Sequence, residues 1–300
     1  MSLVIVGSVA FDTLETPRGR KEKIVGGSGT YCSLAASFFT KPMIVAVVGD
    51  DFPKETVEFF KSRGVDIRGL EIRTGKTFHW EARYGEDPNQ RTTVKTELNV
   101  FENFMPQLPP DFRKADIVFL ANIDPDLQGD ILAQVEAPKL VAMDTINLWI
   151  KTKPDPLLRV LEKVNIYFAN DEEIKMLAKE MNLIKAGKKI LEMGPSLVVI
   201  KKGEHGALVL GENFVFGVLA HPCEEVVDTT GAGDSFAGAF LGYLDKVNAF
   251  EKEDKIRKAS VYGSVLASFV IEDFGISRFK TLSLPEIENR FRFFKKLVSF

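Results

Sequence analysis

The sequence predicts an α/β fold in which one large domain carries a small appendage. Short apolar runs alternate with helical patterns along most of the chain, and the stretch from residue 66 to 96 breaks that rhythm. Strand–helix alternation of this kind indicates a mostly parallel sheet with right-handed crossovers. The 300 residues are 45% hydrophobic and 27% charged, which is the composition of an ordinary globular protein with a sizeable core.

Several short apolar runs have the length of strands that are buried on both faces of a parallel sheet. They are Leu3–Val6, Met43–Val48, Ile117–Leu120, Leu140–Met143, Ile166–Ala169 and Leu197–Ile200. The helical spacing of apolar residues predicts helices at Thr30–Thr40, Pro53–Arg63, Asp126–Val135, Pro156–Val164 and Asp171–Met181. Further along, residues 206–219 predict a hairpin, and Lys255–Ile271 and Pro285–Val298 predict two long helices.

Polar residues follow several strand-like runs. They are Asp12, Asn122, Asp144, Asn170 and Asp234. In open parallel sheets, ligands collect beyond the carboxyl ends of the strands. We therefore expect these side chains to line one rim of the sheet, where a ligand would bind.

Residues 76–84 alternate polar and apolar with a period of two, which predicts a strand that is covered on one face only. Its covered face would carry Phe78, Trp80, Ala82 and Tyr84. A turn at residues 87–90 and a return strand at Arg91–Thr96 would complete a small sheet. Such an aromatic face needs a cover, which is either a ligand cleft or the protein's own core.

The composition excludes several classes of function. A net charge of -3 argues against nucleic acid or an anionic membrane as the main partner. Cys32 and Cys223 cannot form a disulfide framework, and neither has a Cys or His spaced for zinc. No apolar run approaches the ~20 residues that span a bilayer, and residues 3–9 lack the basic start of a signal peptide. We expect a cytoplasmic protein that binds small molecules.

The most informative stretch is VVDTTGAGDSF, at residues 226–236. We predict that a strand ends at Val227, that a glycine-rich turn follows, and that a helix begins near Asp234. Free amides at such a helix start, with the positive end of the helix dipole, attract phosphate oxygens. Gly231 and Gly233 have no Cβ, so a phosphoryl group could approach the backbone closely. Asp234 would then stand where a substrate hydroxyl meets that group, and it could accept the hydroxyl proton.

Residues 228–236 resemble the C-terminal signature of the ribokinase family of carbohydrate kinases, also called the PfkB family. Other short stretches resemble that family in the same order: Gly7–Asp12, Gly26–Gly29, Val48–Asp51, Asn170–Glu173 and Gly203–Gly206. The resemblance implies a ribokinase-like three-layer sandwich, formed by residues 1–300 as a single domain. It also implies a small β-sheet lid, formed by about residues 11–25 and 70–97, which closes over the sugar and could form a homodimer.

The resemblance assigns the glycine-rich turn to phosphoryl transfer from ATP. Gly231, Ala232 and Gly233 would form the anion hole, and Asp234 would be the catalytic base. ATP would be the co-substrate, accompanied by Mg²⁺.

The nucleotide side is implied by further matches. Asn170 and Glu173 match the Asn-x-x-Glu pair, which in the family organises magnesium-bound water and phosphate. From those residues alone, Glu173 could equally be a solvated acid in the first turn of a helix. Gly203 and Gly206 match a nucleotide-side turn, and Lys201 before it could bind nucleotide phosphates or simply be a solvated strand end.

Two residues of the signature match a cation site of the family. Asp228 and Thr230 occupy the positions that ligate a monovalent cation, K⁺, beside the anion hole. The remaining ligands would come from a C-terminal loop, in which Gly275 is matched.

The acceptor side departs from the ribose-type pattern. By resemblance, Asp12 would accept hydrogen bonds from sugar hydroxyls, and Gly26 and Gly27 would let the sugar lie against the backbone. Polar residues that ribose-type members carry are replaced here by Tyr31 and Asn122, among others. Because a buried site must match each substrate hydroxyl, these changes argue against ribose.

The sequence thus predicts an ATP-dependent kinase that phosphorylates a primary hydroxyl of a small sugar or polyol. The alternative within the fold is a nucleoside kinase, which Tyr31 and Trp80 would favour as aromatic partners of a base. An alternative from another class is a non-catalytic sensor that binds sugar or nucleotide. The presence of Asp234 and Glu173 argues against the sensor, since a pure binder does not need a base.

Overall fold

The computed structural model describes residues 2–298 of the predicted domain of residues 1–300. Its strands are β1 Leu3–Val6, β2 Ala10–Thr16, β3 Gly19–Gly26, β4 Met43–Gly49, β5 Asp66–Arg73, β6 His79–Tyr84, β7 Arg91–Glu97, β8 Ile117–Leu120, β9 Leu140–Asp144, β10 Ile166–Asn170, β11 Leu197–Lys201, β12 Ala207–Gly211 and β13 Val215–Val218. Its α-helices are α1 Ser28–Ala36, α2 Lys54–Ser62, α3 Pro125–Leu132, α4 Asn147–Thr152, α5 Pro154–Leu161, α6 Asp171–Ala178, α7 Leu183–Leu191, α8 Ala232–Val247, α9 Glu253–Val270, α10 Ser277–Thr281 and α11 Leu284–Val298.

A nine-stranded sheet forms the centre of the described chain, in the order β13-β12-β11-β10-β9-β8-β1-β4-β5. The pairs from β11 through to β5 are parallel, while β12 and β13 run antiparallel at one edge. The prediction of a mostly parallel sheet is therefore confirmed, including its closing hairpin. Since the parallel strands share a direction, their carboxyl ends form one rim.

Helices cover both faces of this sheet. Leu3 and Ile5 of β1 lie in one apolar cluster with residues of α1, α8 and α9. Val4 and Val6 lie in a second cluster with residues of α3, α5, α6 and α7. Alternate residues of one strand thus face opposite helical layers, and each fully buried side chain of this size contributes about 1.5–3 kcal/mol to folding. The result is the expected three-layer sandwich.

A second sheet of four strands has the order β3-β2-β6-β7. Leu14, Ala82 and Tyr84 share its covered face and pack with Phe274 of the C-terminal loop, beside a partly buried Trp80. The aromatic face is therefore covered in part by the protein itself. Residues 70–73 of the expected lid segment belong to β5, which pairs with β4 at the edge of the large sheet.

Two details of the predicted strands differ from the structure. The strand predicted to end at Val227 is absent, and residues 219–229 are irregular. The Val227 amide donates instead to the carbonyl of Ile271, just after α9, at 2.8 Å. Val226 and Val227 are half-buried against the end of that helix, and this apolar pair was mistaken for the end of a strand. Asp12 lies within β2 of the small sheet and not at the end of β1.

No helix between residues 2 and 298 is both long enough and apolar enough to cross a membrane.

Helix α8 approaches α1 unusually closely through two glycines that are four residues apart. A Cβ at Gly238 would overlap the carbonyl oxygen of Cys32, and a Cβ at Gly242 would lie 2.9 Å from the Cα of Ala36. Both glycines lie on the same face of α8, because residues four apart are neighbours on a helix surface. This contact fixes the position of the α8 N-terminus relative to α1.

We expect Gly238→Ala to destabilise the protein by about 1–3 kcal/mol, because the added methyl group cannot fit without separating α8 from α1. The measurement is the midpoint of thermal unfolding, which should fall by several degrees. Gly129→Ala in α3 is a matched control, since its Cβ would meet only Val160, at 4.0 Å. Alanine is the better helix former, so the control should unfold at the same temperature or higher. Equal effects of the two substitutions would contradict the packing argument.

Candidate active site

The start of α8 presents unused amide groups. Its N-cap is Gly231, with φ of 76°, and no side chain caps the helix. The Ala232 amide donates to the Thr229 carbonyl at 3.2 Å, and the Ser235 amide donates to the Gly231 carbonyl at 2.8 Å. Within residues 2–298, no protein acceptor is found for the amides of Gly233 and Asp234. The helix start can therefore bind an anion, with Gly233 and Asp234 as its free donors.

Tyr31 supports this turn from below. A Cβ at Gly231 would overlap the Tyr31 ring, so the glycine is needed both for its positive φ and for this contact. The Tyr31 side chain is 1% exposed, and its hydroxyl is buried without a hydrogen-bond partner in the described chain. Its ring therefore packs beneath the predicted anion hole and has no exposed face on which a base could stack.

Asp234 lies in the first turn of α8, beside the free amides. Burial and the nearby Asp144 carboxylate raise its pKa to about 6, although Lys201 and Arg91 act in the opposite direction. A carboxylate with this pKa is still mostly ionised at neutral pH and is more basic than an ordinary Asp. It therefore has the ionisation behaviour that a general base needs.

Asp12 forms a second buried acid close to the first. The side chain is 3% exposed. Burial and repulsion by Asp228 and Asp234 raise its pKa to about 8, although the Gly27 amide donates to it. A Cβ at Gly26 would overlap the Asp12 carboxyl group, so the Gly-Gly turn allows this carboxyl to lie against the backbone. At neutral pH the Asp12 carboxyl can both donate and accept hydrogen bonds, as a polyol hydroxyl also does.

The other acceptor-side residues surround the same turn. Asn122 lies near Ser28, whose hydroxyl donates to the Asn122 carbonyl at 3.3 Å. The Trp149 indole donates to the Asn122 side-chain oxygen at 3.0 Å, so the amide group of that side chain is left to donate. Trp80 of β6 is the register neighbour of Asp12 in β2 and is half-buried. An aromatic residue thus lies directly opposite Asp12 on the neighbouring strand.

Asn170 and Glu173 form a capping box at the start of α6. The Asn170 amide donates to Glu173 Oε2 at 2.7 Å, and the Glu173 amide donates to Asn170 Oδ1 at 2.8 Å. Glu173 is 4% exposed, so it is not a solvated helix acid. Burial and the Asp144 carboxylate raise its pKa to about 7. Its second oxygen and the Asn170 amide nitrogen are left to contact a ligand.

Lys201 joins the nucleotide side to the predicted anion hole. It is the last residue of β11 and the register partner of Asn170 in β10. Its ammonium forms an ion pair with Asp144. Burial alone lowers the pKa of Lys201, but the carboxylates of Asp144 and Glu173 outweigh this effect and keep the ammonium charged. A Cβ at Gly233 would lie 3.1 Å from the Lys201 nitrogen. Lys201 is thus beside the free amides and is not a solvated strand end.

The turn after β11 requires its glycines. Gly203 has φ of 53° and Gly206 has φ of 77°. A Cβ at Gly203 would overlap the side-chain oxygen of Asn89, which comes from the β6–β7 loop of the small sheet. The small sheet therefore contacts the predicted nucleotide turn as well as the acceptor side.

Asp228 and Thr230 have partners of their own. The Asp228 carboxylate accepts from the amides of Thr230 at 2.9 Å and Gly275 at 3.4 Å. The Thr230 hydroxyl is hydrogen-bonded to the Tyr84 hydroxyl at 2.8 Å. These contacts join the glycine-rich turn to the C-terminal loop and to the small sheet.

No group of three or more His, Cys, Asp or Glu side chains in residues 2–298 could hold a metal ion. A divalent cation here would need ligands from a bound nucleotide and water, which suits Mg²⁺ because it dehydrates reluctantly. Glu173, with one carboxylate oxygen left over from the capping box, is the side chain that fits a water-mediated contact.

The structure also reveals neighbours of the site that the sequence did not indicate. Trp149 contacts Asn122 from α4, a helix that the apolar pattern did not predict. Arg91 was expected only as the start of a return strand, yet its charge acts on both Asp234 and Glu173. Neither residue belongs to a recognisable motif, so no local pattern could have found them.

The family model for pfkB family carbohydrate kinases matches residues 2–281. The chain belongs to this family. A cytidine kinase of Thermococcus kodakarensis is 33% identical over 249 residues, which cover 81% of this chain and 88% of that protein. A nucleoside kinase of Methanothermobacter thermautotrophicus is 25% identical over an alignment of 311 positions with gaps, which covers 91% of this chain and 90% of that protein.

Solved structures agree with the fold of the PfkB family. An E. coli protein assigned as a ribokinase, solved with ATP and Mg²⁺, has a TM-score of 0.79 at 20% identity and covers 97% of this chain and 99% of its own. The expected membership in the ribokinase family and the expected fold are both confirmed. The chain is accordingly a phosphotransferase, and the alternative of a non-catalytic sensor finds no support among these relatives.

Asp12→Asn tests the electrostatics of this PfkB family site. Unfolded Asp ionises near pH 4, whereas folded Asp12 keeps its proton to about pH 8, so the folded state loses stability as the pH rises between those values. Asparagine does not ionise, so the variant should gain stability over the parent. We expect the difference in unfolding temperature to grow from pH 5 to pH 8 and to reach several degrees in scanning calorimetry.

The control for this experiment is Asp130→Asn, which changes an exposed acid in α3. Its unfolding temperature should follow that of the parent at every pH. A gain for Asp12→Asn that stayed constant or shrank as the pH rose would show that Asp12 is not a repelled, buried acid.

Proposed function

We propose that this protein is an ATP-dependent kinase that transfers the γ-phosphoryl group to a primary hydroxyl, with Asp234 as the base. The observation that carries the proposal is the pairing of an acid of raised pKa with free helix-start amides in one turn. The hydroxyl oxygen would attack the γ-phosphorus while the bond to the β–γ bridging oxygen breaks. The hydroxyl proton would pass to the Asp234 carboxylate, and ADP would leave.

The residues around Asp234 have separate tasks in this proposal. The amides of Gly233 and Asp234, with Gly231 and Ala232 completing the turn, would hold the oxygens of the transferring group. Lys201 would add positive charge on the β-phosphate side. Because these donors are fixed before the substrate arrives, little reorganisation is needed during the transfer.

The nucleotide would lie across the rim, along Asn170, Lys201 and the turn from Gly203 to Gly206. The E. coli protein that shares this fold was solved with ATP and Mg²⁺, which supports the same pair here. Bound Mg²⁺ supplies neutralisation of phosphate charge. Glu173 would orient water next to that ion through its free carboxylate oxygen.

We infer that the acceptor is a nucleoside. The relatives named as cytidine kinase and nucleoside kinase cover most of this chain, and Trp80 gives a base an aromatic neighbour beside Asp12. Tyr31, which the sequence suggested for this stacking, is buried beneath the turn, so Trp80 takes that role. Asp12 and the Gly26-Gly27 turn would bind the ribose, and the Asn122 amide would donate to an acceptor oxygen. A small sugar or polyol, the first choice from the sequence, is the second candidate, since Asp12 would bind its hydroxyls equally well.

Three finer expectations remain proposals. K⁺ would bind to side-chain oxygens of Asp228 and Thr230. These two side chains already form hydrogen bonds, to the Thr230 amide and to the Tyr84 hydroxyl. In a homodimer formed through the small sheet, the partner's surface would have to be complementary in charge to the ion pairs on the outer face of that sheet. One such pair joins Arg20 to Glu81 at 3.0 Å. The cytoplasmic location that the sequence predicts also stays a prediction.

The acceptor is tested by following ADP release with Mg-ATP across cytidine, uridine, adenosine, inosine, ribose, fructose and inositol. We expect nucleosides to have a kcat/KM at least about tenfold above that of any free sugar, because the base adds a contact that the sugar lacks. ³¹P NMR of the product then identifies the hydroxyl that was phosphorylated. Equal or higher kcat/KM for a free sugar would reject the nucleoside assignment in favour of the second candidate.

Asp234→Asn serves as the catalytic control in the same assay. It removes the base and keeps the size of the side chain, so turnover should fall by ~10²-fold or more with the preferred acceptor. The fold should be retained, as circular dichroism can establish. Near-normal turnover would remove Asp234 from the role of base.

A further inference from the structure

The loop between β6 and β7 is fastened to the glycine-rich turn. The Thr229 hydroxyl donates to the Pro88 carbonyl at 2.6 Å, and the hydroxyls of Thr230 and Tyr84 are 2.8 Å apart. These bonds join the tip of the small sheet to the residues that precede α8. The first residue of β7, which pairs with Tyr84, is thereby held near the residues that precede that helix.

Arg91 is the first residue of β7 and the register partner of Tyr84. Residues that are directly opposite each other in an antiparallel pair share a face, so Arg91 lies on the same face of the small sheet as Tyr84. Its guanidinium carbon is 5.7 Å from the centroid of the Trp80 ring. This distance is within the range of a cation–π contact, which orients the guanidinium group.

The Arg91 guanidinium has no carboxylate partner at ion-pair distance within residues 2–298, and the residue is exposed. Other arginines of the small sheet differ in this respect. Arg83 on the opposite face pairs with Glu15 at 3.1 Å, and Arg20 pairs with Glu81 at 3.0 Å. An arginine left unpaired beside buried carboxylates is therefore exceptional in this sheet.

The charge of Arg91 reaches the centre of the site. It lowers the pKa of Asp234 and, more weakly than Lys201, that of Glu173. Lys201 acts on the same two acids but is already joined to Asp144 in an ion pair. Arg91 thus supplies positive potential at the predicted phosphate position without being neutralised by a protein acid.

We propose that Arg91 is a further catalytic residue, which binds the γ-phosphate of ATP from the small sheet and stabilises the charge on the phosphoryl group during transfer. This inference rests on the phosphoryl transfer proposed above. A guanidinium group presents its donors in a planar fork that matches two phosphate oxygens, and a lysine cannot reproduce that fork. The transferring group would then be bound on one side by the α8 amides and on the other by Arg91.

The first test measures binding and needs no acceptor. Isothermal titration in the presence of Mg²⁺ compares ADP with the imido analogue of ATP, which carries the third phosphate group. We expect Arg91→Ala to weaken the ATP analogue by about tenfold and to change ADP by less than about twofold, because only the analogue presents a γ-phosphate. Arg91→Lys should retain part of the preference for the ATP analogue over ADP, because it keeps the positive charge but lacks the planar fork.

The matched control is Arg83→Ala, which removes an arginine from the opposite face of the same sheet. Both variants alter exposed side chains and should unfold within about 2 °C of the parent. Arg83→Ala should bind both nucleotides normally. If Arg91→Ala matched this control, or weakened ADP and the ATP analogue equally, the inference would be overturned.

The second test uses turnover with the preferred acceptor. Arg91→Ala should lower kcat by about 10- to 100-fold with little change in the KM for the acceptor, and added guanidinium ion at millimolar concentration should restore part of it. Urea at the same concentration should restore none, which separates a lost charge from a structural effect. An unchanged kcat, or a lowered kcat that urea restores as well as guanidinium does, would overturn the catalytic part of the inference.

The two proposals fail in different ways. If no acceptor is phosphorylated but the preference for the ATP analogue still depends on Arg91, the proposed kinase reaction is wrong and the γ-phosphate contact stands. If acceptors are phosphorylated and Arg91→Ala behaves like Arg83→Ala in both tests, the kinase stands and the role of Arg91 is wrong.

Discussion

Burial of several carboxyl groups in one poorly hydrated space is the constraint on which the site depends. Burial raises the pKa of Asp12, and repulsion by the nearby Asp228 and Asp234 raises it further. Asp234 can ionise in this space because fixed positive potential faces it, from the free amides of α8 and from Lys201. The same potential that offsets the charge of Asp234 is suited to a phosphoryl group, so the ionisation of Asp234 and the affinity for phosphate have one physical origin.

The scaffold holds these charges in place by close backbone packing. Glycines at 238 and 242 let α8 lie against α1, and Gly231 lets the turn rest on Tyr31. The acceptor-side turn precedes α1 and the free amides begin α8, so this one helix pair sets the distance between acceptor and phosphate. The small sheet then adds a third support, since its loop is bonded to Thr229 and Thr230. The residues proposed to act on the substrates thus lie on loops and helix starts that a rigid sheet holds in place.

Much of this arrangement could be predicted from the sequence, because the signals are local. Buried strands give continuous apolar runs, and the start of α8 is marked by two glycines followed by an acid, so β1, β10 and α8 were all predicted close to their observed positions. The failures concern tertiary contacts. Val227 pairs with a helix end instead of a strand, Tyr31 is buried beneath the turn, and Trp149 and Arg91 reach the site from other elements. No local spacing encodes such contacts, since they depend on how distant elements pack.

The proposed reaction depends on transfer of the hydroxyl proton to the carboxylate of Asp234. The most direct test is the pH dependence of kcat/KM for the acceptor at saturating Mg-ATP. We expect kcat/KM to fall on the acid side as one group with a pKa of about 6 is protonated, because protonated Asp234 can no longer accept the hydroxyl proton. The limb should persist in Glu173→Gln and disappear in Asp234→Asn. A profile that is flat down to pH 5, or an acid limb that survives in Asp234→Asn, would show that Asp234 does not accept the hydroxyl proton.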